Sequence, residues 1–307
     1  MVLRTLLICL ALTLTLAACA SDKKQRSKSA SEPTESKTKA PISIADVGFA
    51  TPEAVLHDGT ADLYLVSNIN GSPFAADDNG FISRVSPAGE VVALKWIDGA
   101  SEDVTLNAPK GMGISGGVLY VSDVDHVRMF DATTGAAKGA VKIEGATFLN
   151  DIATGADGAV YVSDSGFADG FAPSGTDAIH RINADGTTSV VAKGDTLGHP
   201  NGLLVGADGL TVVTFGSGEV YTLNADGQRD AGVKTEKGAL DGVVALETGE
   251  LLISSWGASG VYRGPAAGPF TLVATDMDAP ADIGWDAKRR HLLVPLFKKN
   301  VVQIHQL

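Results

Sequence analysis

Four polar side chains recur at one position of a repeated sequence pattern, each directly after the first residue of a short apolar stretch. They are Glu53, Asn150, Asn201 and Asp241. Asparagine is uncommon in core strands because its side chain competes for backbone hydrogen bonds, so its recurrence needs an explanation. Two carboxylates and two amides, with no thiolate, suit a hard cation bound through oxygen, calcium more than zinc. We therefore predict a divalent metal site if the fold brings these four side chains together.

The repeat that carries these residues occurs six times. Each copy reads as a short apolar strand, a Gly or Asp turn, a second strand ending near Ser-Asp, and two further strands. The equivalent positions are 57, 40, 51, 40 and 40 residues apart, and they hold Glu53, Lys110, Asn150, Asn201, Asp241 and Ala281. Four short strands with a period near 40 predict an all-β, six-bladed β-propeller. The innermost strands of a propeller start at one face near the axis, so these positions should form a ring.

The last copy of the repeat is one strand short. It supplies strands near 281–286, 291–296 and 300–306, and then the chain ends. A strand from 42–49 is expected to complete this blade, because an open edge would invite association with other chains. The predicted propeller therefore occupies 42–307, and its last blade is closed by an N-terminal strand.

Four short segments around the ring positions resemble a known family. They are Pro52-Glu53-Ala54, Leu149-Asn150-Asp151, Pro200-Asn201-Gly202 and Leu240-Asp241-Gly242. Over 50–307 the chain is similar to the gluconolactonase, senescence marker protein and luciferin-regenerating enzyme-like six-bladed propellers. The resemblance implies one divalent metal, commonly calcium, bound by Glu53, Asn201 and Asp241 with Asn150 beside it. It also implies hydrolysis of lactones or related esters, with Asp241 as the general base.

Three positions bear on the substrate. The sugar-lactone enzymes of that family carry an arginine two residues before the first asparagine, and here that position is Phe148, which argues against an aldonolactone. Lys110 occupies the ring position of the second blade, where a cation is costly unless it faces a carboxylate or an anionic substrate. His199 precedes Asn201 and is a candidate proton shuttle or a simple hydrogen-bond donor. Lys110 and His199, together with Asn150, are predicted to contact substrate.

Aromatic residues are predicted at the mouth of the ring. The loops 68–80 and 165–178 connect second to third strands, which open on the face of the ring, and both are long. They contain Phe74, Phe167 and Phe171, while Trp256 stands in the corresponding loop of the fifth blade. These side chains predict an apolar or mixed substrate pocket with Trp256 in its wall; the alternative is that they only pack the loops.

Nucleotides and nucleic acids are not expected partners. The segment 111–116 matches the dinucleotide pattern GxGxxG and 113–117 matches the nucleophile elbow, but both motifs require a strand followed by a helix. Here a second strand follows, so the glycines predict a hairpin turn. The chain has a net charge of −12, and residues 42–307 hold 33 of its 36 Asp and Glu but only 17 of its 24 Lys and Arg, so the propeller repels phosphate backbones.

The N-terminus reads as a lipoprotein leader. Residues 1–18 carry one early charge and then an apolar run, which is typical of a secretory signal peptide. The segment Leu16-Ala17-Ala18-Cys19 resembles the bacterial lipobox, which predicts a lipid on Cys19 and attachment to a membrane. Ala20, where aspartate would mark inner-membrane retention, favours the outer membrane if the cell has one. Residues 19–41 are rich in Ser, Lys, Thr and Glu and predict a disordered tether.

Two functions fit these features. The first is a lipid-anchored, calcium-dependent hydrolase of small lactones or esters in the bacterial cell envelope. The second is a non-catalytic propeller that calcium stabilises and whose mouth binds a protein, peptide or glycan. An intact ring of ligands fits both, since a fold does not establish an activity.

Overall fold

A computed structural model describes residues 40–307, and the predictions of a signal peptide, a lipidated Cys19 and most of a tether lie outside the described residues. The described chain forms six four-stranded antiparallel sheets, which confirms the all-β, six-bladed propeller. Its helices are two short 3-10 turns, Asp169–Phe171 and Asp195–Leu197. Within 40–307, no helix has the length and apolar character needed to cross a membrane.

Each of the first five blades is built from strands that follow one another along the chain. From the innermost strand outward, the first three blades contain Pro52–Asp58, Leu63–Asn68, Phe81–Val85 and Val91–Asp98; Pro109–Ser115, Val118–Asp123, His126–Asp131 and Ala137–Lys142; and Leu149–Thr154, Val160–Asp164, Ala178–Ile182 and Thr188–Lys193. The next two contain Pro200–Val205, Leu210–Thr214, Glu219–Leu223 and Val233–Lys234; and Leu240–Ala245, Glu250–Ser255, Gly260–Pro265 and Thr271–Ala274.

The sixth blade combines both ends of the described chain. Its strands, from the innermost outward, are Gly284–Asp286, His291–Leu296, Val301–Gln306 and Ile42–Ile44. The outermost strand pairs antiparallel with the last strand, with Ile42 opposite Ile304 and Ile44 opposite Val302. The innermost strand begins three residues later than expected, because Asp282 exchanges backbone hydrogen bonds with Glu53 and Val55 of the first blade instead.

Six hydrophobic clusters hold the blades together, one between each neighbouring pair. The cluster between the sixth and first blades, for example, contains Ile44, Phe49, Tyr64 and Leu293. The strands alternate so that apolar side chains fill these layers, and a single blade could not bury both of its faces. Stability therefore comes from blade-to-blade packing around the whole ring.

Truncating Ile44 should test the contribution of the closing strand. Ile44 is 4% exposed, whereas Ile42 on the same strand is 36% exposed. We expect Ile44→Ala to lower the free energy of unfolding by about 2–4 kcal/mol, because it leaves a cavity in the layer between the sixth and first blades. Ile42→Ala is the matched control and should cost less than about 1 kcal/mol. Urea denaturation measures both, and equal effects would mean that the strand does not close the blade through this layer.

Candidate functional site

The five polar side chains at the ring positions are re-oriented by an irregularity that recurs in the innermost strands. Each of these strands loses its register with the second strand between its first and fourth residues, as in the stretch from Pro200 to Leu203. In every case the ring residue is the second residue of the strand and lies within this β-bulge. We call these side chains the ring residues: Glu53, Lys110, Asn150, Asn201 and Asp241. Bulges re-aim side chains and are common near functional sites.

Serine side chains of the second strands stabilise the bulges. In the third blade, Ser163 Oγ accepts a hydrogen bond from the Asp151 N–H at 2.9 Å and donates to the Asn201 carbonyl of the next blade at 2.8 Å. Ser254 does the same in the fifth blade, with Gly242 N–H and the Ala281 carbonyl. Each serine thus satisfies a backbone group that the bulge leaves unpaired and ties one ring position to its neighbour.

The aspartates at the ends of the second strands have a structural role. Asp123 accepts backbone hydrogen bonds from Asn107 and Ala108, and Asp164 accepts them from Thr147 and Phe148. These bonds fix the loops that lead into the ring positions of the second and third blades. Neither aspartate lies in the central cavity described next.

The ring residues line one cavity, which we call the central cavity. The cavity is narrow, with about 40 Å³ of room for the centres of water molecules, and part of it is open to solvent. The five ring residues form its polar part, and six aromatic side chains form most of the rest: Phe148, Phe167, Phe171, Phe215, Trp256 and Phe297. The structure therefore brings together the four predicted metal ligands, which are between 2% and 5% exposed.

Three oxygen atoms of the ring are buried without any hydrogen-bond partner among the described residues. They are Glu53 Oε2, Asn201 Oδ1 and Asp241 Oδ1. A buried polar atom left unpaired costs about 1–3 kcal/mol, so three in one cavity are unusual without a ligand. Among the described residues no three His, Cys, Asp or Glu side chains are placed to hold a metal ion. A cation here would need the amide oxygens and water as additional ligands, which is common for calcium.

The electrostatics of the ring favour a bound cation. Burial raises the pKa of Glu53 well above its usual value, and repulsion from Asp241 raises it further, while Lys110 opposes both. Burial also raises the pKa of Asp241 to about 8, with a contribution from Asp151. Trp256 lowers this pKa, although its indole N–H makes no hydrogen bond of normal geometry within 40–307, so the contact is weak. A divalent ion would relieve the repulsion and restore the charged carboxylates.

Lys110 is fully buried beside the other ring residues. Its ammonium donates a hydrogen bond to the Ala108 carbonyl at 3.2 Å and lies 4.4 Å from the centre of the Phe148 ring. Burial lowers its pKa to about 8, and Glu53 is the strongest of the carboxylates that oppose this shift. No ion pair within hydrogen-bonding contact joins it to a carboxylate in the part of the chain that the structure describes.

The other two predicted substrate contacts differ in their placement. Asn150 lines the central cavity, and its amide nitrogen donates to Ser165 Oγ at 3.1 Å, which leaves its oxygen for a ligand. His199 is not among the residues that line the cavity. Its ring stacks on Phe167 at 4.4 Å, and its Nδ1 contacts the Ser165 carbonyl at 2.8 Å. The structure therefore places His199 against Phe167 and outside the cavity lining.

The aromatic wall is more extensive than the sequence analysis expected. Ring-to-ring contacts run from Phe74 through Phe148, Phe171 and Phe167 to Phe215, Trp256 and Phe297, each pair of neighbours within 6.2 Å. Phe215 and Phe297 were missed. Both directly follow a second strand, as Trp256 does. The backbone N–H of each of the three donates a hydrogen bond to the carbonyl of the residue just before the innermost strand of its blade or, in the sixth blade, just before the isolated β-bridge at Pro280. Comparing the residues that directly follow each second strand, as the ring positions of the innermost strands were compared, identifies both.

Two further carboxylates, Asp151 and Asp282, were also missed. They line a second cavity inside the propeller together with apolar residues of the innermost strands. Burial raises the pKa of Asp151 to about 7, and burial and the charge of Asp151 raise that of Asp282. Asp151 accepts the backbone N–H groups of Ile152 and Leu203, the latter from the next blade. Asp151 thereby joins the third and fourth blades, and the backbone of Asp282 joins the sixth and first blades.

Several solved structures share this architecture. A protein assigned as a gluconolactonase superimposes with a TM-score of 0.64 at 19% identity, over 87% of this chain and 92% of that one. A gluconolactonase from Xanthomonas campestris gives 0.58 at 16% identity, over 88% and 98%. The chain has the fold of the gluconolactonase-like six-bladed propellers. The structural neighbours therefore agree with the resemblance that the ring segments indicate.

The gluconolactonase-like fold is shared with proteins of other activities. Virginiamycin B lyase from Staphylococcus aureus superimposes with a TM-score of 0.63 at 12% identity, over 87% of this chain and 99% of that one. No protein-family model and no curated protein matches the sequence. At these identities the likeness concerns the fold, and the chemistry has to be argued from the central cavity.

Proposed function

We propose that this protein is a hydrolase of small lactones or related esters that depends on a bound divalent cation, calcium in particular. The observation that carries the proposal is the set of three unpaired buried oxygens, on Glu53, Asn201 and Asp241, that line one cavity. These residues would hold the cation, with Asn150 beside them. The gluconolactonase names among the structural neighbours support a small molecule as the substrate.

The chemistry follows from the donor set. A bound divalent cation supplies a Lewis acid, which polarises a carbonyl group and makes a water molecule more acidic. The carboxylate of Asp241 accepts the proton of the attacking water, and the same residue can return it to the leaving oxygen. The aromatic wall limits the access of bulk water, which strengthens every electrostatic interaction inside the cavity.

The wall also indicates the kind of substrate. Phe148 lies where a hydroxyl-binding arginine would favour sugar lactones, and its ring faces the Lys110 ammonium instead. The remaining aromatic side chains offer apolar contact and few hydrogen-bonding groups. We therefore propose lactones or esters with an apolar or aromatic body rather than aldonolactones.

A substrate panel with and without chelator tests the proposed function. Aliphatic and aromatic lactones and aryl esters should be hydrolysed by the calcium-loaded protein, and chelation should abolish turnover. Gluconolactone serves as the polar comparison and should be a poor substrate. A protein that is inert on the whole panel, but melts at a lower temperature after chelation, would instead be a calcium-stabilised binding propeller.

Phe171 provides a direct check of the apolar pocket. It lines the central cavity but is 48% exposed, so its truncation should not disturb the fold. We expect Phe171→Ala to raise KM for aryl esters about 5–10-fold, because it removes apolar contact worth about 1–1.5 kcal/mol. Val190→Ala is the control, because Val190 is 57% exposed on the outermost strand of the same blade. An unchanged KM in Phe171→Ala would show that the aromatic wall does not contribute to substrate binding.

We further propose that the mature protein is attached to the bacterial cell envelope by a lipid on Cys19, at the outer membrane where one exists. This proposal rests on the lipobox-like segment and the polar stretch that follows it. An intact mass of the membrane-extracted protein should show cleavage before Cys19 and added acyl chains, and Cys19→Ala should abolish both. A mature N-terminus at any other residue would contradict it.

A further inference from the structure

Lys110 is the ring residue that a calcium site does not explain. An ammonium group repels a bound cation, and burying it costs several kcal/mol unless it is compensated. The side chain is 1% exposed and lines the central cavity. Its ammonium has three N–H groups, of which one donates to the Ala108 carbonyl. The remaining donors are available to a ligand in the cavity.

Two of the three carboxylates around Lys110 are engaged by other groups, and the third belongs to the proposed cation site. Those that act on its charge are Glu53, Asp123 and Asp164. Asp123 forms an ion pair with Arg128 at 2.8 Å, and Asp164 accepts backbone N–H groups. Glu53 belongs to the proposed cation site. Once a divalent cation is bound, Lys110 therefore has no carboxylate of its own within the described residues, and the charge of the ammonium remains available to an anion.

The surroundings of Lys110 also define the rest of that ligand. The ammonium lies over the face of Phe148, which belongs to the continuous aromatic wall from Phe74 to Phe297. A ligand that reaches Lys110 with an anionic group must place its remaining atoms against these rings. An aromatic or branched apolar body fits such a wall, whereas a polyhydroxylated body would lose hydrogen bonds to water.

We propose that the central cavity binds organic monocarboxylates, with the carboxylate on Lys110 and an apolar body against the aromatic wall. This inference extends the proposed function by naming a ligand class, and it concerns binding rather than turnover. A lactone or ester that carries a free carboxylate, and the acid released by hydrolysis, both belong to the class. The carboxylate would satisfy N–H groups that the chain itself leaves free.

Fluorescence titration of the calcium-loaded protein tests this binding. Trp256 lines the cavity and should report occupancy, with thermal shift as a second readout. The probes are 3-phenylpropionate and its neutral amide, 3-phenylpropanamide, which share the same apolar body. Wild type should bind the carboxylate at least about 10-fold more tightly, as expected for a charge-assisted hydrogen bond in a buried site. Equal affinities in wild type would overturn the proposal without any variant.

Two lysine variants locate the preference. Lys110→Met keeps a long side chain and should bind both probes with equal affinity. Lys298→Met is the matched control, because the Lys298 ammonium lies 5.1 Å from the Trp256 ring but the side chain is exposed. It should keep the preference for the carboxylate. A preference that survives in Lys110→Met but disappears on chelation would place the anion on the cation and refute the role of Lys110.

The outcome is separable from that of the proposed function. A protein that hydrolyses no ester, yet prefers the carboxylate through Lys110, would retain the binding site and lose the hydrolase assignment. A protein that hydrolyses neutral esters, yet shows no preference between the two probes, would retain the hydrolase assignment and lose the carboxylate site.

Discussion

Asp241→Asn should lower kcat/KM for the best ester or lactone of the panel by at least about 10³-fold. The substitution preserves the volume of the side chain but removes the negative charge that would help hold the cation, and it removes the proton acceptor for the attacking water. Asp241 is 3% exposed and one of its oxygens is unpaired among the described residues, so no other group there compensates. Steady-state kinetics and the calcium content of the purified variant measure both losses.

Asp208→Asn is the matched control for this loss of activity. Asp208 lies exposed in the turn between the first two strands of the fourth blade, away from the central cavity. Its substitution changes the net charge by the same amount and should leave kcat/KM within about twofold. An Asp241→Asn protein that keeps more than a tenth of wild-type activity would exclude Asp241 from both roles.

The second large effect is a reversal in the order of thermal stability of wild type and Asp241→Asn when calcium is removed. In chelator, Asp241→Asn should melt at a higher temperature than wild type, and in calcium it should melt at a lower one. The reason is that burial without a metal disfavours the ionised forms of Glu53 and Asp241, as their raised pKa values show, so at neutral pH the folded wild type must take up protons, whereas an amide needs none.

The magnitudes of the reversal follow from linkage. Calcium at about 100 times its Kd stabilises the wild type by about 2.7 kcal/mol, which raises Tm by about 5–10 °C for a chain of this size. Replacing such an acid, whose folded-state pKa is raised, with an amide that does not titrate should stabilise the chelated protein by about 1–3 kcal/mol at pH 7. Glu53→Gln should behave in the same way, because Glu53 and Asp241 share the repulsion.

Calorimetry of wild type and Asp241→Asn in calcium and in chelator checks this result, with Asp208→Asn as the control that should show no reversal. Two outcomes are incompatible with a cation site at the ring. One is a wild-type Tm that does not respond to chelation. The other is an Asp241→Asn protein that is destabilised equally in both conditions.

The number of blades could be predicted because every copy of the repeat carries its own strand and turn signals. Equal offsets along the chain, such as the 40 residues between Asn201 and Asp241, place residues at equal positions of a closed ring. The convergence of Glu53, Asn150, Asn201 and Asp241 in one cavity follows from that symmetry. The structure confirms the fold, while the metal remains a prediction.

The orientation of the ring residues could not be predicted from strand patterns. It depends on the bulges, and the bulges depend on serines of a neighbouring strand and on carbonyls of the next blade, as Ser163 shows with Asp151 and Asn201. His199 lies only two residues before Asn201 in the sequence, yet its ring stacks on Phe167 outside the cavity lining. Such contacts join residues tens of positions apart and leave no local periodicity in the sequence.

The sequence by itself determined the architecture and the identity of the ring, because hydrophobic periodicity and a fixed repeat length are properties of local segments. Only the tertiary structure decided which oxygens are left unpaired, where the Lys110 ammonium lies and how far the aromatic wall extends. These features arise where different blades meet at the axis. The side chains that meet there are set by closure of the ring, and their pKa values respond to the burial that closure produces.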